Sequence, residues 1–133
     1  MDLKENKILQ TVDTLRDSIL DFTCRLIEKD SVLGNEEPAM ALMAAELKKL
    51  GFTPDTIPID QERLKRHPGY AWVPWDYESK SNVVAERKAD SEGGKSAIFN
   101  GHLDVVDPEP TDFWDTDPYT PIIKEAKIFG RGA

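Results

Sequence analysis

Cysteine is almost missing from this chain: Cys24 is the only one among 133 residues. A single thiol excludes an internal disulfide and suits a reducing compartment. Its position inside an apolar helical pattern predicts a buried structural thiol rather than a reactive one. Basic charge is scarce as well, with 17 Lys and Arg against 25 Asp and Glu and a net charge of −8. Nucleic-acid binders carry a basic face, so nucleic acid is not an expected partner. No apolar run approaches the ~20 residues of a membrane helix. The opening "MDLKENKILQ" lacks the basic start and apolar stretch of a secretory signal. These absences predict a cytoplasmic protein without membrane contact. There is also no repeat period and no low-complexity tract.

What is present suits a globular chain. Hydrophobic residues make up 39% and charged residues 32%, enough for one modest domain with a core. Ile8, Val12, Leu15, Ile19, Phe22 and Leu26 follow one another at steps of four and three, which predicts a long amphipathic helix over 6–29. A second helix is expected to about Leu50. Asn35 is its expected cap, and Glu36, Glu37 and Pro38 suit its first turn. Lys48 and Lys49 suit its last turn, and Gly51 supplies its stop. Met40, Met43, Leu47 and Leu50 form its apolar side. "FTPDTIPID" reads as a short or edge strand because of its prolines. The stretch from Gln61 through Ser81 reads as an irregular surface excursion. "NVVAER" is a strand, "KADSEGGK" a turn with a plausible hairpin at Gly93-Gly94, and "SAIFNGHLDVV" the most apolar strand, expected at the centre of a sheet. An acidic loop over 107–118 leads to two short strands around Glu125 and Ala126. Two helices followed by several strands predict an α/β architecture with helices packed on a mixed sheet.

Inside the apolar run, "NGHLDVV" holds His102 and Asp104 two positions apart. In a strand they share one side, while Leu103 faces the other. Polar side chains at the carboxyl end of a buried strand fit the crevice of an open α/β sheet. An imidazole with a nearby carboxylate also suits a metal ligand: one ring nitrogen binds the ion and the other donates to the acid, which fixes the tautomer. Spacing leaves open whether Asp104 reaches His102 or turns to another group. Gly101 gives a metal-bound water or substrate room to approach the backbone. A lone H-x-D is a common triplet, and a single ligand does not make a metal site; on spacing alone a strand-end histidine is the commoner reading.

A longer pattern carries more. "NVVA", then "NGHLDVV", then Trp114 followed by "DPY", then "FGRGA" occur in that order, and the whole resembles the N-terminal catalytic half of the M20 metallopeptidase family. "LGNEEPAMALMAAELKKLGF" is similar to that family's first helical segment. The stretch "HPGYAWVPWDYESKSNVVAERK" looks most like the acetylornithine deacetylase branch; succinyl-diaminopimelate desuccinylases are another branch. The resemblance implies a two-metal hydrolase with zinc, or cobalt in its place, that cleaves the amide bond of N-acyl amino acids or small peptides. It implies His102 as the first metal ligand, Asp104 as the active-site acid that supports it, and a homodimeric parent. The family's bridging aspartate follows the GRG motif, where this sequence reaches Ala133. The expectation is therefore that residues 1–133 are the N-terminal portion of a catalytic domain, inactive alone, with a separate dimerisation domain absent. Family members often have Asp-Gly at the hairpin before GRG; this chain has Glu125-Ala126, and Ala suits a positive-φ turn poorly.

Other features have plainer readings. Asp107, Glu109, Asp112, Asp115 and Asp117 crowd one loop without EF-hand spacing, which predicts a solvated loop. Trp114 either packs that loop or lines a cleft. Arg131 between two glycines is, outside the family pattern, a solvated arginine in a turn. His67 belongs on the surface, and Tyr70, Trp72 and Trp75 form an exposed aromatic patch or await a cover. The competing functional reading is a truncated, inactive paralogue that serves as a binding or interaction module.

Overall fold

The computed structural model describes residues 3–89 and 93–133. The chain divides into two compact units, one made of 1–33 with 105–133 and the other of 34–104.

The first unit opens with helix α1, Leu3–Ile27, at 1.5 Å per residue about 37 Å long. Thr11, Thr14 and Thr23 donate their hydroxyls to the carbonyls of Lys7, Gln10 and Ile19, and Ser18 donates to Leu15. These polar side chains are therefore satisfied within the helix itself. Ile27 is buried, as are Ser31 and Pro118. The Ser31 carbonyl accepts from Val105 N–H at 3.0 Å, tying the helix exit to the later segment. Strands β3 (Ile122–Lys124) and β4 (Lys127–Phe129) form an antiparallel hairpin. Its two turn residues, Glu125 and Ala126, have φ of 52° and 58°. A two-residue turn with positive φ at both positions is the kind that matches strand twist, so the turn keeps that form despite lacking Asp-Gly.

The second unit holds α2 (Glu37–Lys49), β1 (Thr53–Pro58), the short helix α3 (Gln61–Lys65) and β2 (Ser81–Glu86). β1 and β2 pair antiparallel from Thr53 opposite Glu86 to Pro58 opposite Ser81. Ser81, Val83 and Ala85 are half-buried, while Asn82, Val84 and Glu86 are exposed. α2 packs on this hairpin, with Ala39 buried and Met40, Met43 and Leu47 half-buried; Leu50 is exposed. A two-stranded hairpin is marginal alone and needs such a cover. Beyond α2, Gly51 (φ 84°) donates to Lys48 and Phe52 donates to Leu47, the paired bonds that close a helix with a left-handed residue.

Several expectations change. The cap of α2 is Glu36 rather than Asn35, and its side chain makes no cap bond. Its carboxylate instead meets Lys80 Nζ at 2.7 and 2.9 Å, 44 residues away, which no local pattern predicts. Within the excursion after Gln61, Asp60 accepts from Arg63 N–H at 2.9 Å and starts α3, an N-cap that the sequence reading passed over. The mixed sheet is not formed: the described residues hold two separate two-stranded antiparallel sheets. The central strand over 96–106 is irregular instead, with Ile98 and Phe99 93% and 97% exposed. Apolar composition suits a strand, but a strand exists only where another backbone supplies its ladder, and among the described residues none does so. The turn expected over "KADSEGGK" includes 90–92, which lie outside the described residues.

Candidate functional site

His102 and Asp104 sit at the end of the second unit, in the irregular segment after β2. They meet without a strand to align them. His102 Nδ1 lies 3.0 Å from the Asp104 backbone carbonyl oxygen and 3.3 Å from its Oδ1. A carbonyl has no proton to give, so the 3.0 Å contact is a hydrogen bond only with Nδ1 as donor. In the neutral ring that leaves Nε2 as the acceptor nitrogen. The side chains are 84% and 65% exposed, so Nε2 is open to an incoming ion. Gly101 has no heavy atom within 4 Å of where a Cβ would stand; its neighbourhood is open space rather than a close approach.

One imidazole supplies one of the roughly four positions that zinc fills. Among the described residues no group of three or more His, Cys, Asp or Glu comes together to hold a metal. The residues present thus fit a single coordination position with its supporting acid, and they do not build a closed metal site.

Arg131 belongs to the other unit, where it is half-buried rather than solvated. Its guanidinium stands 4.7 Å over the Trp114 ring, a cation–π contact. The Trp114 indole N–H donates to Pro108 at 3.0 Å, so Trp114 packs the acidic loop. Arg131 N–H donates to the Pro118 carbonyl at 2.7 Å. The two flanking glycines are required by space: a Cβ on Gly130 would stand 2.5 Å from Ile27 Cγ2, and one on Gly132 would stand 2.7 Å from Val105 Cγ1 at a φ of 81°. The GRG triplet is thus explained by packing against the end of α1 and the segment at Val105. The loop acids also have local work. Asp107, Glu109 and Asp117 each accept the backbone N–H two residues on, a local turn-forming role for three of the five acids.

Tyr119 is a residue the sequence reading missed. Burial first, then a hydrogen bond to the Asp30 carboxylate with the charges of Asp30 and Asp107, push its phenol up to about 12. Its hydroxyl is sealed from solvent, and burial is the largest cause. Only its place after "DP" hinted at an ordered turn. In the second unit a groove of about 520 Å³ runs between α2 and the hairpin, lined by Met40, Ala44, Pro58, Tyr77, Lys80 and Val83 among others. His102 and Asp104 are not among its lining residues.

Comparison with known proteins supplies the class. The chain is a homologue of M20-family proteins over most of its length. It is 31% identical over 115 residues to the succinyl-diaminopimelate desuccinylase of Xylella fastidiosa, covering 86% of this chain and 25% of that protein. It is 32% identical over 117 residues to the protein of that name from Stenotrophomonas maltophilia, covering 87% and 25%. A third of the same name, from Cupriavidus necator, is 32% identical over 114 residues, covering 86% and 26%. The chain spans about a quarter of the length of the curated relatives it matches. No family model matches it. Among the described residues no helix is long and apolar enough to cross a membrane.

Proposed function

We propose that this chain contributes to a metal-dependent amidohydrolase that cleaves the amide bond of an N-acyl amino acid or a small peptide. The observation that carries the reading is the His102 ring, with Nδ1 tied to Asp104 and Nε2 open. In this reading His102 ligates a divalent ion, zinc or cobalt, through Nε2. Asp104 keeps the Nδ1 proton in place and fixes the plane of the ring. A bound metal supplies an activated water and polarises the scissile carbonyl. Further ligands come from outside these 133 residues, which form the N-terminal portion of a catalytic domain and need that remainder for turnover. The names of the relatives favour a succinyl group on the substrate amine over an acetyl group. A cytoplasmic homodimer remains part of the same proposal.

Zinc binding measured by calorimetry tests the ligand assignment. The assembled wild-type enzyme takes up zinc with His102 as one ligand, and His102→Ala weakens that binding. Asp104→Asn weakens it within the roughly 10–100-fold range expected of a supporting acid. Equal affinity in all three proteins would contradict the assignment. Hydrolysis of N-succinyl and N-acetyl amino acids by the assembled enzyme tests the substrate class. An assembled protein that folds, yet neither holds metal nor hydrolyses either substrate, would leave the interaction-module reading in its place.

A further inference from the structure

We propose that the first unit holds a binding site for a weakly hydrated organic cation, a quaternary ammonium or a guanidinium group. This inference is independent of the metal reading. The site is a cleft of about 350 Å³ lined by Phe113, Trp114, Asp115, Thr116, Phe129 and Gly130 among others. Its three aromatic residues come from two places. Phe113 ends the 3-10 turn Thr111–Phe113, with Trp114 next in the chain, and Phe129 ends β4. Phe113 is 87% exposed and Phe129 48%, whereas Trp114 is half-buried. Trp114 is pinned twice: its backbone N–H donates to Thr111 at 3.0 Å, and its indole N–H donates to Pro108 at 3.0 Å. A ring held in this way is in place before a ligand arrives, which lowers the ordering cost of binding.

Electrostatics chooses the occupant. The faces of aromatic rings are electron-rich and attract cations. Trp114 already behaves so, since its ring takes the Arg131 guanidinium at 4.7 Å. Arg131 does not line the cleft, so Trp114 reaches it by ring surface that Arg131 leaves open. Asp115 is the charged side chain of the lining, and no basic residue joins it. Unlike Asp107, Glu109 and Asp117, it holds no turn: Asp115 is exposed, and its carboxylate has no partner among the described residues. A neutral apolar occupant would cover that carboxylate without compensating it, and an anion would repel it; both are costly. A primary ammonium gives up its water less readily than a guanidinium, and ring faces offer it few acceptors in return. The net charge of −8 favours the approach of any cation. The volume lies at the small end of ligand sites, which suits one cationic group with a short tail and excludes a folded partner.

Choline is the probe, and its neutral isostere, with carbon in place of the ammonium nitrogen, is the control. Each is titrated into the 133-residue chain at constant ionic strength. The ¹H–¹⁵N resonance of the Trp114 indole, assigned through Trp114→Phe, reads the binding. Choline should move that resonance saturably, with a dissociation constant on the order of 1 mM. The isostere should bind at least about tenfold more weakly. Phe113→Ala and Asp115→Asn should each weaken choline binding about three- to tenfold. Both side chains are exposed, so the fold should survive, and unchanged resonances elsewhere in the spectrum verify that it does. The comparison of choline with its isostere needs no variant and stands even if one of them fails to fold. Absence of a saturable shift, equal binding of the isostere, or indifference to either substitution would each overturn the proposal. So would choline binding that is present in this chain and lost in the assembled enzyme, because a basic side chain of the larger protein would then be the occupant.

Discussion

Asp104 offers the His102 ring two acceptors, its backbone carbonyl at 3.0 Å and its carboxylate at 3.3 Å. Asp104→Asn removes the charge but keeps the carbonyl, so the Nδ1–H form survives in that variant. The loss of metal affinity should therefore fall at the lower, roughly tenfold end of the range for a supporting acid. The i, i+2 spacing made the pairing legible in the sequence; which acceptor the ring chooses is a matter of local backbone path and was not. Ala126 makes the opposite kind of statement. Its φ of 58° costs a residue with a Cβ about 1 kcal/mol or more, and glycine adopts it freely. Ala126→Gly should raise the stability of the first unit by about 0.5–1 kcal/mol after the added unfolded-state entropy of glycine. A urea midpoint that rises at constant slope checks this, and a lower midpoint would mean the turn has another form.

At the scale of elements, α1, α2 and the β3–β4 hairpin follow from local chemistry. Pro38 in the first turn of α2, the Lys48–Lys49 end and the Gly51 stop mark that helix in the sequence alone, and Pro54 and Pro58 mark β1 as a strand with a free edge. What joins the elements is less legible. Burial alone would raise the Glu36 carboxyl. The Lys80 hydrogen bond, the backbone N–H groups of Gly34 and Glu36, and the Lys80 charge outweigh it and hold the group below its ordinary 4.5. Both side chains are largely covered, at 18% and 22% exposure, so the pair should stabilise the second unit by about 1–2 kcal/mol at neutral pH. Because the folded value lies below the unfolded one, the contribution is complete above pH 4.5 and disappears as pH falls through the folded value. The stability difference between wild type and Glu36→Gln should follow that course in urea titrations at stepped pH. A difference that stays constant into acid would remove the pair as its source. The segment 96–106 shows the limit of pattern reading: its composition asks for a ladder, but composition does not say where the partner backbone lies.

For the whole molecule, Ile27 and Ala39 are the buried hydrophobic residues among those described, a sparse core for this length. A real core was the expectation from composition. Composition counts apolar residues, whereas burial needs surfaces that face them, and Ile98 and Phe99, with Ile8, Val12, Leu15 and Ile19 on α1, stay exposed. The same contrast separates what homology carries from what these residues perform alone. The order of "NVVA", "NGHLDVV" and "FGRGA" was enough to point to the M20 family, while the described residues bring together one imidazole and one acid. The account therefore rests on the state of that imidazole. Long-range ¹H–¹⁵N spectra of the chain, with His102 assigned through His102→Gln, read the state directly. With the ring neutral the account predicts a proton on Nδ1 and an unprotonated Nε2, and added zinc should perturb the Nε2 resonance first. A proton on Nε2, with zinc leaving His102 unmoved, would contradict it.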